Sequence, residues 1–154
     1  MTDRRTRLLR LAAGQLAVLV GMLHFFLGIR NWSVYLGAGL LVPPDARGPL
    51  WVLSGLLVLV AVPIVVLEGI TDRRVYAAGI TISLVYFLGY YAWHLGGHRT
   101  LLITGDATPH AGVGVVEFLV SHTLAGPAEF FALLTEAALI VVLVALWRRP
   151  EPDA

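Results

Sequence analysis

The sequence predicts an all-α integral membrane protein built as a four-helix bundle. Of its 154 residues, 58% are hydrophobic and only 14% are charged, whereas soluble domains are about 45–50% apolar and about 25% charged. Four apolar runs are long enough to cross a hydrocarbon core of about 30 Å. Inside a bilayer each backbone N–H and C=O must be paired within its own segment, so these runs are expected to be helices.

The four predicted spans lie at about 11–29, 50–70, 75–95 and 130–147, within a single transmembrane domain covering 1–154. The first run follows a basic segment, as a signal peptide does. However, it is about 19 residues long, against roughly 7–15 for a signal core, and no small-x-small cleavage site follows it. We therefore interpret it as a retained helix.

The arginines predict the orientation of the bundle. All eleven basic residues are arginine, and with four crossings eight of them fall on one side and three on the other. The positive-inside rule then places both termini in the cytoplasm of a multi-pass protein of the cell membrane. The four tryptophans lie at span ends, where aromatic belts occur: Trp32, Trp51, Trp93 and Trp147.

The two external loops differ in what they predict. Residues 31–42 are apolar enough to continue the first helix or to lie along the membrane interface. The loop at 96–128 is long, and long loops usually carry function or structure of their own. Its apolar stretch at 113–124 predicts a short interfacial or re-entrant helix between the third and fourth spans. Pro127 and Glu129 are typical of the start of the helix that follows.

Ionisable residues inside the spans are the strongest functional signal, because an unpaired charge in a membrane is costly. His24 and Glu136 lie deepest, and all five histidines belong to the predicted external half. In the first span, His24 lies within a stripe of small residues that would face a neighbouring helix: Gly14, Ala17, Gly21 and Gly28.

This distribution predicts a transition-metal or b-type haem site at the external end, serving redox chemistry or metal handling. Imidazole and carboxylate together suit transition metals, and two histidines can hold a b-type haem without cysteine, which the chain lacks. His24 and His94 are the predicted haem ligands. The predicted metal ligands are His24, His94, His98, Glu136, Glu129 and His122.

Simpler interpretations remain beside this one. His24 and Glu136 could form a purely structural contact with each other or with Arg30. His98 could be a rim residue, and Glu129 has a sufficient role at the positive end of the helix dipole. No nucleotide-binding glycine loop, G-x-S-x-G or H-E-x-x-H motif is present, so the sequence assigns no enzyme class.

An alternative of a different class is a non-catalytic accessory or scaffold subunit. Its small-residue faces would dock other membrane helices, from its own copies or from a larger complex. These faces are Gly14, Ala17 and Gly21 on the first helix and Gly79 and Ser83 on the third. A net charge of +1 gives no reason to expect nucleic acid as a partner. The remaining expected partner is the lipid bilayer.

Overall fold

A computed structural model describes residues 4–70, 72–96 and 113–149. This part of the chain consists of helices and the turns between them. The helices are α1 (Arg4–Gly37), α2 (Arg47–Leu67), α3 (Arg73–Leu95), α4 (Val115–Thr123) and α5 (Pro127–Trp147). His98 and the rest of residues 97–112 lie outside the described residues.

Four of these helices, α1, α2, α3 and α5, are long and apolar enough to cross a membrane. The all-helical prediction is therefore confirmed, and the four apolar helices indicate a membrane-spanning protein. The short helix expected at 113–124 is present as α4, which has nine residues. At 1.5 Å per residue it is about 14 Å long, too short to span.

Helix α1 is longer than the predicted span of 11–29. It includes Arg4, the first described residue, and it continues through the first half of the predicted loop to Gly37. The chain then turns at Gly39, whose φ of +76° suits glycine. At 34 residues, α1 is about 51 Å long and exceeds the hydrocarbon core.

Neighbouring long helices run antiparallel. Thr6 near the start of α1 contacts the Arg149 side chain just after α5, and Arg73 Nη2 at the start of α3 donates to the Arg149 carbonyl oxygen at 3.2 Å. The two ends of the described chain therefore meet at one end of the bundle. We call the opposite end, where α3 ends and α5 begins, the α4 end.

Helices α1 and α2 approach closely through glycines, as the small-residue stripe predicted. A Cβ placed on Gly55 would lie 2.7 Å from the Gly21 carbonyl oxygen and 2.7 Å from the Phe25 nitrogen. A Cβ on Gly28 would lie 2.7 Å from the Val52 nitrogen. Because small residues allow backbones to come together, this contact explains the spacing of the glycines.

The faces expected to dock a partner are used mostly inside the chain. Gly21 packs on α2, Gly79 would meet Leu143 of α5 at 2.8 Å if it carried a Cβ, and Ser83 is 1% exposed. Gly14 is different, because nothing lies within 4 Å of its Cβ position. The expectation that these stripes are docking surfaces is therefore wrong for Gly21, Gly79 and Ser83, which build the bundle itself.

The half of the bundle away from the α4 end has an apolar core. Its buried residues come from α1, α3 and α5, and Tyr76 is the one among them with a polar group. The set comprises Ala13, Val20, Tyr76, Leu139, Leu143 and Leu146. The polar buried side chains of the spans lie nearer the α4 end.

Candidate functional site: a buried His–Glu pair

His24 and Glu136 form a buried contact between α1 and α5. The Nε2 atom of His24 lies 3.2 Å from the Oε1 atom of Glu136, and the two side chains are 7% and 3% exposed. Glu136 is nine residues into α5, about 14 Å from its start at the α4 end. The contact confirms that these two side chains face each other; their depth in the membrane stays a prediction.

The hydrogen bonds of His24 define what its second nitrogen can do. Its Nδ1 lies 3.0 Å from the carbonyl oxygen of Val20, one turn earlier in α1. A carbonyl oxygen can only accept, so Nδ1 carries the hydrogen of that bond. The Nε2–Oε1 contact then holds one proton, because two bare lone pairs would repel. Whether nitrogen or oxygen carries this proton, the pair as a whole is neutral.

Aromatic rings from the other two long helices enclose the pair. Tyr86 of α3 stacks on the imidazole of His24, with ring centres 3.5 Å apart and an angle of 11° between the planes. Trp51 of α2 meets the same imidazole edge-on at 6.3 Å. All four long helices therefore contribute to one site, with a titratable hydroxyl on Tyr86 as its third polar group.

Two polar atoms of this site have no hydrogen-bond partner in the described part of the chain. They are the Oε2 atom of Glu136 and the hydroxyl oxygen of Tyr86. A buried polar atom without a partner costs about 1–3 kcal/mol. The described part of the protein therefore does not supply every hydrogen bond that the polar atoms of this site can make.

A second cluster at the α4 end brings together His94 of α3 and His122 of α4. Their ring centres are 4.5 Å apart with 73° between the planes. The Tyr90 hydroxyl donates to the His122 carbonyl oxygen at 2.7 Å, and the Tyr91 hydroxyl lies 2.7 Å from the Thr123 hydroxyl. These tyrosines fasten α4 to the end of α3.

The other predicted metal ligands are Glu129 and His98. Glu129 lies in the first turn of α5 and is half-buried, as expected of an acid at a helix start. His98 lies outside the described residues. Among residues 4–70, 72–96 and 113–149, no three histidine, aspartate or glutamate side chains form a group that could hold a metal ion.

Sequence reasoning missed an ion pair between the first loop and α2. Asp45 is 1% exposed, and its Oδ1 atom accepts from the Arg47 backbone nitrogen at 3.1 Å and from Arg47 Nε at 2.9 Å. The guanidinium lies 3.7 Å from the ring centre of Trp93 and 6.0 Å from that of Trp51. An acid directly after Pro43-Pro44 and just before a helix start was the available signal.

These features define the class of the protein as an all-helical membrane protein with a buried imidazole–carboxylate pair. No protein family, characterised protein or solved structure compared with this chain matches it.

The ion pair predicts a pH-dependent stability. Burial raises the pKa of Asp45, but the hydrogen bonds and charge of Arg47 outweigh it and hold the pKa below its ordinary value. The pair therefore stabilises the fold above the ordinary aspartate pKa, and this contribution is lost as the pH falls through the lowered pKa. Asp45→Asn is expected to reduce the free energy of unfolding by about 2 kcal/mol at neutral pH.

Denaturation in detergent micelles at neutral and acid pH measures this effect. The gap between the variant and the wild type should close at acid pH, where Asp45 of the wild type is also neutral. Glu68→Gln is the control, since Glu68 is exposed and its substitution should leave both curves in place. A gap that stays constant with pH would contradict the assignment to the ion pair.

Proposed function

We propose that this chain is a proton-binding membrane protein whose activity depends on proton uptake and release by the His24–Glu136 pair. The observation that carries the proposal is the buried 3.2 Å contact between Nε2 and Oε1. With Nδ1 committed to the Val20 carbonyl oxygen, that contact contains a single proton, and a second proton would convert a neutral pair into a cationic one.

The energetics favour a functional pair over a purely structural one. A buried imidazole–carboxylate pair can often be replaced by apolar side chains of similar size with no loss of stability. Here the pair also leaves Glu136 Oε2 and the Tyr86 hydroxyl without partners. A contact kept for stability alone would satisfy these atoms, whereas a site that exchanges protons needs lone pairs that can accept one.

The distribution of arginine supports an orientation for the site. Eight of eleven arginines belong to the end of the bundle at which the two ends of the described chain meet. By the positive-inside rule, both termini are then cytoplasmic in a cell-membrane protein, and the α4 end faces outward. The pair would lie in the outer half of the membrane.

The packing favours exchange of the proton with one side. Toward the other end of the bundle the pair is followed by the apolar core that contains Val20, Leu139 and Leu143. Toward the α4 end, Trp51 connects the imidazole to Arg47 and Asp45. This arrangement suits a response to external pH better than conduction across the membrane.

At His24 the geometry favours a proton over the haem or metal ion suggested by composition. Haem iron would need the lone pair of Nε2, which faces the Glu136 carboxylate, and Tyr86 covers one face of the ring. Haem ligation by His24 and His94 would require both contacts to be rebuilt. A divalent cation would leave a net positive charge beside a single carboxylate, at considerable cost in a membrane.

Infrared difference spectroscopy of the purified protein tests the proposal. A step in pH should change a carboxyl signal that shifts in D₂O and is lost in Glu136→Gln, since an amide cannot take up the proton. Subtracting the difference spectrum of the variant from that of the wild type separates the signal of Glu136 from the signals of surface carboxyl groups. Glu68→Gln, at an exposed position, should retain the signal.

Two results would overturn the proposal. One is a double-difference spectrum without a carboxyl signal across the pH range in which the protein stays folded. The other is a signal that is unchanged in His24→Asn, because the proton would then be independent of the imidazole. In reconstituted vesicles the wild-type protein should add no proton leak. A leak that Glu136→Gln removes would show that the pair conducts protons across the membrane and does not exchange them with one side only.

A further inference from the structure

We propose that α1 and α2 form a binding site for an anionic phospholipid at the end of the bundle where Thr6 contacts Arg149. We call this end the arginine end. The lipid phosphate binds Arg10, and an acyl chain occupies the space that opens between the two helices beside Gly14. The site is independent of the proposed proton-binding pair, because Arg10 precedes His24 on α1 by fourteen residues, about 21 Å along the helix axis.

Helices α1 and α2 separate toward the arginine end, as three glycines on one face of α1 show. Gly28, Gly21 and Gly14 are spaced by seven residues, so they point in nearly the same direction. A Cβ on Gly28 would lie 2.7 Å from the Val52 nitrogen, and one on Gly21 would lie 3.0 Å from the Leu59 side chain. At Gly14, nothing in the described chain lies within 4 Å of the Cβ position. The space beside α1 therefore widens from Gly28 to Gly14.

The exposure of α2 shows the same separation. This helix is described throughout, and its buried residues are Gly48, Val52 and Gly55, all in its first half. Val66 lies eleven residues after Gly55, about three helical turns, so it continues the same face of α2. Its side chain is nevertheless 64% exposed. The face of α2 that packs on α1 near Gly55 is therefore open to lipid toward the arginine end.

Arg10 lies where this space is widest. It precedes Gly21 by eleven residues and is therefore on the face of α1 that is turned toward α2. Arg10 is partly buried, and its Nε atom is inaccessible to solvent and has no hydrogen-bond partner in the described chain. No carboxylate of the described residues forms an ion pair with Arg10. Buried charges are normally paired, which favours a ligand that supplies negative charge here.

The position of Arg10 along α1 suits a lipid phosphate. It is four residues, about 6 Å, further into the bundle than Thr6 at the arginine end. The neighbouring Leu9 packs against the apolar core. Arg10 therefore lies where the apolar part of the bundle meets its charged end, as a phosphate lies between the acyl chains and water. Guanidinium and phosphate form paired, charge-assisted hydrogen bonds.

The charge of α1 favours an anionic over a zwitterionic lipid. Helix α1 contains no aspartate or glutamate, and the exposed residues Arg4, Arg5 and Arg7 precede Arg10. Basic clusters beside a membrane segment attract lipids of net negative charge, whereas a zwitterionic headgroup carries its own compensating cation. The ligand is therefore a phospholipid of the phosphatidylglycerol type.

Native mass spectrometry of the full-length, tag-free protein in detergent tests the site. With dioleoyl phosphatidylglycerol and dioleoyl phosphatidylcholine added at equal concentration, the wild type should retain phosphatidylglycerol at least about fivefold better. Arg10→Gln should remove most of this preference. Arg5→Gln is the matched control, because it removes the same charge from an exposed position about 140° around the helix, and it should keep most of the wild-type affinity.

Gly14→Leu tests the space between the helices with every arginine kept. Its side chain should fill the open position and weaken lipid retention as Arg10→Gln does. Gly89→Leu is its control on α3, where nothing in the described chain lies within 4 Å of the Cβ position either. That variant should retain the lipid as the wild type does. Circular dichroism identifies any loss caused by misfolding, and if Arg10→Gln does not fold, Gly14→Leu decides the outcome.

The proposal is wrong if the wild type retains both lipids equally, or if Arg10→Gln and Arg5→Gln lose the same affinity, since only the total charge of the arginine end would then matter. Unchanged retention in Gly14→Leu would place the lipid elsewhere and also overturn it. Displacement of the lipid by glycerol phosphate or inorganic phosphate at millimolar concentration would assign Arg10 to a free phosphate compound instead. Glu136→Gln should retain the lipid fully, and a loss there would contradict the independence of the two sites.

Discussion

Glu136→Ala is expected to lower the free energy of unfolding in micelles by about 3–5 kcal/mol, because it leaves the buried Nε2 of His24 without a partner. Glu136→Gln should cost less than about 1.5 kcal/mol, since its amide N–H can donate to the same nitrogen and restore the bond. The two variants thus separate the hydrogen bond, which Gln retains, from the exchangeable proton, which it does not.

Unfolding by added sodium dodecyl sulfate, followed by circular dichroism, measures these differences. Glu68→Ala is the control, because the exposed Glu68 makes no buried contact and should change stability by no more than about 0.5 kcal/mol. Equal losses in Glu136→Ala and Glu136→Gln would show that the side chain of residue 136 stabilises the bundle through something other than this hydrogen bond.

Replacing both partners extends the argument. In His24→Leu/Glu136→Leu neither residue leaves a buried polar atom behind, so the double variant should be far more stable than Glu136→Ala and close to the wild type. Its carboxyl signal should nevertheless be absent. A double variant that is stable but lacks the carboxyl signal would mean that an apolar contact is sufficient for stability. The His24–Glu136 pair would then be present for its proton chemistry.

Much of the fold was predictable from residues that act locally. Hydropathy identifies four spans because each apolar run must satisfy its own backbone inside the membrane. The spacing of Gly21 and Gly28 correctly predicted a close helix neighbour. The C-terminal end of α1 was not predictable in the same way, since the sequence of residues 31–37 is equally compatible with a helix and an interfacial loop.

The candidate site was predictable in its residues but only partly in its pairing. Depth alone indicated His24 and Glu136, because the cost of an ionisable group grows toward the centre of the bilayer. The same composition suggested that His24 and His94 could share a haem, whereas His24 contacts α5 and His94 contacts α4. Which helices are neighbours depends on packing across the bundle, and no local pattern encodes that.

The contact made by Tyr86 could not be predicted from the sequence pattern. It belongs to a run of aromatic residues in the third span, which the sequence indicates to be an interface belt and packing material, not part of a cofactor site. In the structure its ring covers the imidazole of His24. The face that a residue presents is set by how the helix is rotated against its neighbours, and in α3 that rotation is fixed by contacts such as Gly79 against Leu143.

Gly55→Ala is expected to lower the free energy of unfolding by about 1–3 kcal/mol, because its methyl group would overlap two backbone atoms of α1. Backbone cannot swing aside as a side-chain end can, so α1 and α2 must separate along their length. Gly55 lies one turn from Trp51, which borders His24, so the same substitution should also disturb the environment of the proton-binding pair.

Gly89→Ala is the matched control for this prediction. Gly89 lies within α3, and nothing lies within 4 Å of its Cβ position. Alanine is the better helix former by about 1 kcal/mol, so this variant should be as stable as the wild type or more stable. Comparable losses at both positions would mean that glycine is needed for helix flexibility. A loss at Gly55 alone would show that the backbone contact between α1 and α2 holds the site together.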